Sequence, residues 1–476
     1  MKQSAFARLY ERYRYRPFAP HSIAPLVMFR ILFGAAMMLG VVRFLLLGWV
    51  DVQYVKPTVH FAYYGFEWIP PLHDALQATT NGWSIYAVFA IMLAAALGIT
   101  LGAWYRASAV AYFLTFSYVE LIDKTYYLNH YYFVSLVALL MTVLPAEREC
   151  SVDVWRKPTL RLSSVPRWTV DILKFQVALV YVYAGVAKMQ SEWLFRAMPL
   201  AIWLPANDTL PLIGVWLRER WVAYAFSWAG MVYDTTIIAW LIYPKTRAIA
   251  YVAVIVFHVL TGLMFQIGVF PLVMITLTPV FFSVQFHERC VSALKRLAKA
   301  EQPQQEQTQD LQARFPAHSS LGQRLVLAAL ATYVIVQILF PWRWLLYQDR
   351  ISYKQLFWTE EGYRFGWRVM LMEKAGTATF YVKDSSTGKE GEVVNREFLN
   401  EHQEKQMAMQ PDMLLEFAQH LRAYYAARGV HKPSVRAEVY VTLNGEPSRL
   451  YVDSTVNLAA ERDSWQPKRW ILPLSQ

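Results

Sequence analysis

Residues 168–193 read WTVDILKFQVALVYVYAGVAKMQSEW, an apolar run that starts on Trp168 and ends on a lysine, Lys188. About twenty residues rising ~1.5 Å each cover the ~30 Å hydrocarbon core of a bilayer, so the stretch reads as a membrane-crossing helix with Lys188 near one face. Tyr181, Ala184, Gly185 and Lys188 recur at helical spacing, which sets two small residues beside an amine and lets a ligand or another helix approach closely. A lysine at the end of a span is ordinarily an anchor whose ammonium reaches the interface. The same amine, if buried and desolvated, is instead usable as a base.

Composition points the same way. The 476 residues are 56% hydrophobic and 16% aromatic, with mean hydropathy +0.23, too apolar for an ordinary soluble domain. Apolar runs near 25–49, 82–104, 107–123, 130–145, 168–188, 222–243, 248–266, 269–285 and 324–341 predict nine spans. The basic N-terminus precedes a first run that is longer than a cleaved leader and lacks a small-residue cleavage site, so it is read as retained. With that end inside, WYRAS, YPKTR, the 145–168 loop and the 287–315 loop concentrate Lys and Arg on the cytoplasmic side. The facing loops hold Trp68, Trp193, Trp203 and Trp216, and nine spans leave the C-terminus outside. The net charge of +11 is then a topology signal, and no nucleic-acid partner is expected. Cys150 and Cys290 fall in cytoplasmic loops, which argues against a disulfide, and neither has metal-ligand spacing.

The Gln-rich EQPQQEQTQDLQ, 301–312, reads as part of a cytoplasmic linker over 301–322. Beyond it, TATFYVKD and GEVV flank a Ser-Ser-Thr-Gly turn. PDMLLEFAQHLRAYYAARG is an amphipathic helix with a Gly stop, and Val435, Ala437, Val439, Val441 and Leu443 alternate up to Asn444-Gly445, a hairpin signal. The expected fold is an α-helical multi-span membrane domain over 1–341 and a C-terminal α+β extramembrane domain over 342–476, packed on the outer face.

Three further groups carry candidate chemistry. LIDKTYYLNHYYF, 121–133, places Asp123, Lys124, Asn129 and His130 at the outer ends of two spans, at about the depth of Lys188. An ordinary polar turn in an aromatic belt is the plain alternative. His258, within VAVIVFHVLTGLMF, must face protein, either as a packed core histidine or as a ligand contact. EEGYRFGWRVMLMEK, 360–374, concentrates Tyr363, Arg364, Trp367 and Arg368 after the last span. No Walker loop, GxGxxG, HExxH or Ser-centred elbow is present, and no metal is expected.

Read together, LxDKTxxxNHxY, AGVxKxxxxW, FRILFG, the SVD after the fourth span, FHVLTGLMFQIGVFPLVM, EGYRFGWRVM and the closing W-I-L-P-L resemble the vitamin K-dependent γ-glutamyl carboxylase family, including bacterial homologues with an HTTM-type transmembrane domain. The resemblance covers nearly the whole chain. It implies chemistry on reduced vitamin K, a phylloquinone or menaquinone hydroquinone, with O2 and CO2 as co-substrates. Lys188 falls on the base that deprotonates the hydroquinone, and His130 on the histidine assigned to oxyanion stabilisation. Asp123, Asn129, Ala184, Gly185 and His258 fall on or beside the cofactor positions, and Tyr363 and Trp367 on the element that shapes the glutamate site. It further implies a lipid bilayer and a glutamate-containing peptide or protein as partners, in a bacterial inner membrane with the active site facing the periplasm. Departures are Ala187, where animal members have a second lysine, a missing outer-loop cysteine, and a chain that ends soon after the hairpin. Two alternatives stay open: a quinone epoxidase without peptide carboxylation, and a non-catalytic transporter or lipid-binding protein.

Overall fold

The structure, a computed structural model, describes residues 16–265, 267–297, 321–347 and 352–474. The Gln-rich stretch 301–312 lies outside them. Helices α1 (Ala24–Leu46), α2 (Ile69–Thr80), α3 (Trp83–Leu101), α4 (Tyr105–Ile122), α5 (Asn129–Val143), α6 (Trp168–Lys188), α7 (Arg220–Ile242), α8 (Arg247–Met264), α9 (Phe270–Leu277), α10 (Val284–Leu297) and α11 (Leu321–Leu339) follow one another. A helix stands at each of the nine predicted spans, but among the described residues six are long and apolar enough to cross a membrane: α1, α3, α6, α7, α8 and the α11 segment. The others differ for physical reasons. Helix α4 carries Arg106 and Glu120, and α5 has only 15 residues. The eighth run breaks after Phe281 and turns by 113° into α10, which gives seven spans if that pair is counted as one.

Close approach of the helices depends on small residues. Helix α1 packs on α3 where Gly34 faces Thr100, and a Cβ at Gly34 would stand 2.6 Å from the Thr100 backbone nitrogen. At the end of the bundle remote from Lys188, Asp153 of the SVD motif accepts hydrogen bonds from the Trp104 and Tyr105 amides, both at 2.8 Å. It thereby satisfies the free N–H groups that begin α4. Arg30, fully buried on α1, donates to the Cys150 carbonyl at 2.6 Å. Both cysteines are free.

At the Lys188 end lies a four-stranded antiparallel sheet. Strands β1 (Pro20–Ser22) and β2 (Ser164–Pro166) form a separate small pair, and β3 (Lys374–Lys383), β4 (Glu390–Val393), β5 (Ser434–Leu443) and β6 (Arg449–Leu450) are ordered β4-β3-β5-β6. The alternation along β5 turns Val435, Ala437, Val439, Val441 and Leu443 into one core with Met413, Leu414, Phe417 and Leu421 of the helix Pro411–Ala427. Asn444 and Gly445 both have positive φ, 50° and 75°, the conformation a tight hairpin needs. The same core continues into Ala187, Trp193, Leu200 and Met231, so the sheet region and the helix ends share one apolar interior.

Candidate active site

Helix α6 stops at Lys188 because the backbone leaves helical geometry at Met189, and Gln190 starts the next helical turn by accepting from the Glu192 amide at 2.9 Å. Lys188 is 6% exposed. Its Nζ donates to Asp234 Oδ2 of α7 at 2.7 Å and to the Ala184 carbonyl at 3.4 Å, and lies 5.2 Å from the Trp193 ring centroid. The cation thus sits at the negative end of its helix. It is neither the exposed anchor nor a lone amine; it is half of a buried ion pair. Asp234 is the functional candidate that sequence reasoning missed, although a single carboxylate inside a 23-residue apolar helix is itself a signal.

The pair opens into a cavity. Phe226, Phe257, Phe265 and Phe270 form much of its wall, and Lys188, Asp234, Tyr181 and His258 supply most of its polar groups. His258 Nε2 lies 3.0 Å from the Tyr181 hydroxyl. Its Nδ1 is buried and has no hydrogen-bond partner among the described residues, a vacancy a ligand oxygen could fill. Ala184 lines the cavity as expected.

Gly185, expected beside the ligand, does not. A Cβ there would stand 2.5 Å from Thr235 Cγ2 and 2.8 Å from the Thr235 backbone nitrogen, so the glycine is the contact that lets α7 bring Asp234 to Lys188. Asp123 and Asn129, also expected beside the cofactor, do not line the cavity either. Asp123 is buried with its oxygens occupied by the Thr125 amide and hydroxyl and by Gln403 Nε2. Asn129 donates to the Arg368 carbonyl at 2.9 Å and accepts from the Tyr127 hydroxyl at 3.0 Å. Both fasten the helix ends to the C-terminal region. His130 is 6% exposed, with Nε2 unpartnered among the described residues. It does not line the Lys188 cavity; its neighbour there is Phe270, whose ring centroid is 5.6 Å from His130 and 5.4 Å from His258.

The segment 361–370 links this cavity to a second one. Val369 and Met370 line the Lys188 cavity, while Tyr363, Arg364 and Phe365 line a polar cavity of about 1,180 Å³ with Arg343 and Lys468. Phe365, Trp367 and Met370 all have φ near +58°, at 58°, 57° and 58°, a strained choice for bulky side chains that clusters at functional sites. Tyr363 and Trp367 part company here. Trp367 is fully buried, stacked 4.9 Å from Tyr132, and lines neither cavity.

Beside the second cavity, Lys124 pairs with Asp412 at 3.0 Å and Glu416 at 2.9 Å, and Arg364 grips Asp412 at 2.6 and 3.3 Å. Burial alone would raise the Asp412 carboxyl, but Arg364 and Lys124 outweigh it and hold it well below the usual carboxylate range. Burial likewise works against the Lys124 ammonium, and Asp412 and Glu416 overcome it and raise it above its ordinary value.

Comparison with known families divides the chain in two. Residues 16–286 match the HTTM domain, and residues 322–476 match the vitamin K-dependent gamma-carboxylase lumenal domain. No solved structure matched. Six apolar helices joined to a lumenal-type domain make a multi-pass membrane protein of carboxylase-like type. Carrying both parts in order, the chain belongs to the vitamin K-dependent γ-glutamyl carboxylase family.

Proposed function

We propose that the protein is an integral-membrane γ-glutamyl carboxylase that couples oxidation of reduced vitamin K to its epoxide with CO2 addition at a peptidyl glutamate. The observation that carries the reading is the Lys188–Asp234 pair at the head of an aromatic cavity. A flat, apolar hydroquinone suits those walls, and the unpartnered His258 Nδ1 suits one of its oxygens. When bound, that cofactor with O2 supplies the base strong enough to remove a glutamyl γ-hydrogen.

The residues have separable tasks. With one ammonium proton passed across the 2.7 Å contact to the Asp234 carboxylate, Lys188 Nζ is a neutral amine and accepts the hydroxyl proton, so the pair moves from Lys188–Asp234 to Lys188 and the ligand oxygen. The ammonium then faces the new oxyanion. His258, oriented by Tyr181, binds the ligand oxygen, and the phenylalanines exclude water. His130 acts behind Phe270, and the second cavity receives the glutamyl chain, with Tyr363 and the Arg343 cation as its carboxylate contacts. Residues 1–341 then form the membrane domain and 342–476 the periplasmic domain of a bacterial inner-membrane enzyme.

The test uses purified protein in lipid nanodiscs with reduced vitamin K, labelled bicarbonate and a panel of glutamyl peptides. Epoxide and peptide-bound label are both expected, and both lost in Lys188→Ala. Epoxide without label would favour a quinone epoxidase that does not carboxylate peptides, which the separation of the two cavities also accommodates. Neither product from any peptide would overturn the reading.

A further inference from the structure

A third cavity adjoins the second, sharing Tyr64, Lys124, Asp412 and Asp463 with it, and is lined also by His60, Asp74 and His420. Of its carboxylates, Asp412 and Glu416 are held by Lys124 and Arg364, and Asp463 by Lys468, so the negative charge beside the histidines is that of Glu67 and Asp74. His73 joins this group from α2: one donor atom each from His60, His73 and Asp74 lie within 4.8 Å of one another.

The hydrogen bonds leave these donors available. His60 is 8% exposed, and its Nδ1 is 3.1 Å from Asp74 Oδ1. Its Nε2 is buried without a partner among the described residues. The 3.1 Å between Nδ1 and Oδ1 is the spacing of a hydrogen bond and equally of two donors ~2.0–2.1 Å from one ion, so a cation in place of the proton between them is held by both. His73 is 1% exposed, and its Nε2 lies 2.8 Å from the Tyr54 carbonyl, an acceptor only, so Nε2 donates and Nδ1 keeps the lone pair. The Tyr118 hydroxyl approaches that Nδ1 at 3.4 Å. The two imidazole rings meet edge to face with centroids 4.9 Å apart. A His–Asp hydrogen bond alone accounts for Asp74, but not for a second buried histidine turned onto the first beside an unsatisfied nitrogen.

We propose that His60, His73 and Asp74 form a divalent-cation site of the Zn2+ type. Two imidazoles and a carboxylate are a borderline donor set suited to that ion. Donors ~2.0–2.1 Å from one ion stand at most ~4.2 Å apart, so closing the group requires movements of about half an ångström at its widest pair. The fourth position faces the cavity, where His420 and water are available. The ion would tie α2 and its preceding loop together at the junction with the helix Pro411–Ala427, which makes it a structural site that no linear metal motif announces.

The test is metal content and affinity of untagged, full-length protein, stripped with a chelator and titrated with Zn2+ by calorimetry, with elemental analysis after dialysis. One tightly held ion per chain is expected, and Co2+ substitution should give the visible absorption of a tetrahedral site. His60→Ala/His73→Ala should lose the ion and Asp74→Asn should weaken it by about tenfold, while His402→Ala, outside the group, should leave it unchanged. His60→Gln/His73→Gln, checked by gel filtration for a monodisperse peak, separates lost binding from lost folding. Unchanged stoichiometry in a folded double variant, or no ion bound to the wild-type chain, would overturn the proposal.

Discussion

Two buried charge systems sit within the same end of this molecule and are built in opposite ways. The Lys124–Arg364–Asp412–Glu416 cluster balances two cations against two anions and joins the α4–α5 turn to the helix Pro411–Ala427. The Lys188–Asp234 pair is a single cation and a single anion facing a largely apolar cavity. A satisfied cluster gains rigidity and has little left to offer a ligand. A lean pair beside empty space is a poor clamp, and its proton and charge are open to whatever enters. The difference teaches that burial and ion pairing do not mark a site; an unfilled side does.

The comparison can be broken experimentally. The largest effect expected is on chemistry: Lys188→Ala should lower epoxide formation by about 10²–10⁴-fold, and Asp234→Asn, which keeps a hydrogen bond but removes the charge, should lose a smaller part of that range. If Asp234→Asn were fully active, the pair would be structural and the contrast with the cluster would vanish. Next, Asp412→Asn leaves Lys124 and Arg364 short of their shared carboxylate and should cost about 3–5 kcal/mol, read by thermal or denaturant unfolding in detergent. Gly185→Ala forces a methyl into Thr235 and should destabilise by about 1–3 kcal/mol. It should also lower activity, because it displaces the helix that carries Asp234; a stable variant of full activity would dissolve the link between that crossing and the pair.

The smallest effect concerns pH. A carboxylate held low in the folded protein contributes stability that is complete above its unfolded value, near ~3.9, and is lost only as pH falls through the folded value. Asp412 is such a group. The penalty of Asp412→Asn should therefore be constant from pH 7 down to about 5, measured as the difference between wild-type and variant melts. A penalty that fades across that interval would mean that the carboxyl titrates above its unfolded value, with burial outweighing its two cations.

What was legible in the sequence follows from how locally each feature is determined. The Asn444-Gly445 hairpin is written in its turn residues, and the Lys188 span in twenty apolar positions. The span count was not, because 269–285 is largely apolar while the chain turns after Phe281, where the backbone of Phe282 becomes extended and no proline or glycine marks the break. Small residues on a helix serve a ligand or a neighbour equally well, so Ala184 and Gly185, adjacent in sequence, were assigned one role and have two. Asp234 was hidden by averaging, since one acid barely lowers the hydropathy of 23 residues. Tyr363 and Trp367 fell on different sides of their segment because left-handed residues at 365 and 367 break the periodicity that pattern reading needs.

That segment carries one more implication, for sequence length. Surface connections normally absorb inserted or deleted residues without harm. Between Tyr363 and Met370 the chain has one cavity at each end and a buried indole locked on Tyr132 between them, so its span is fixed at three points. Adding or removing a single residue there cannot be taken up by a bulge on either side. Relatives that keep both cavities should vary in this stretch by substitution and not by length.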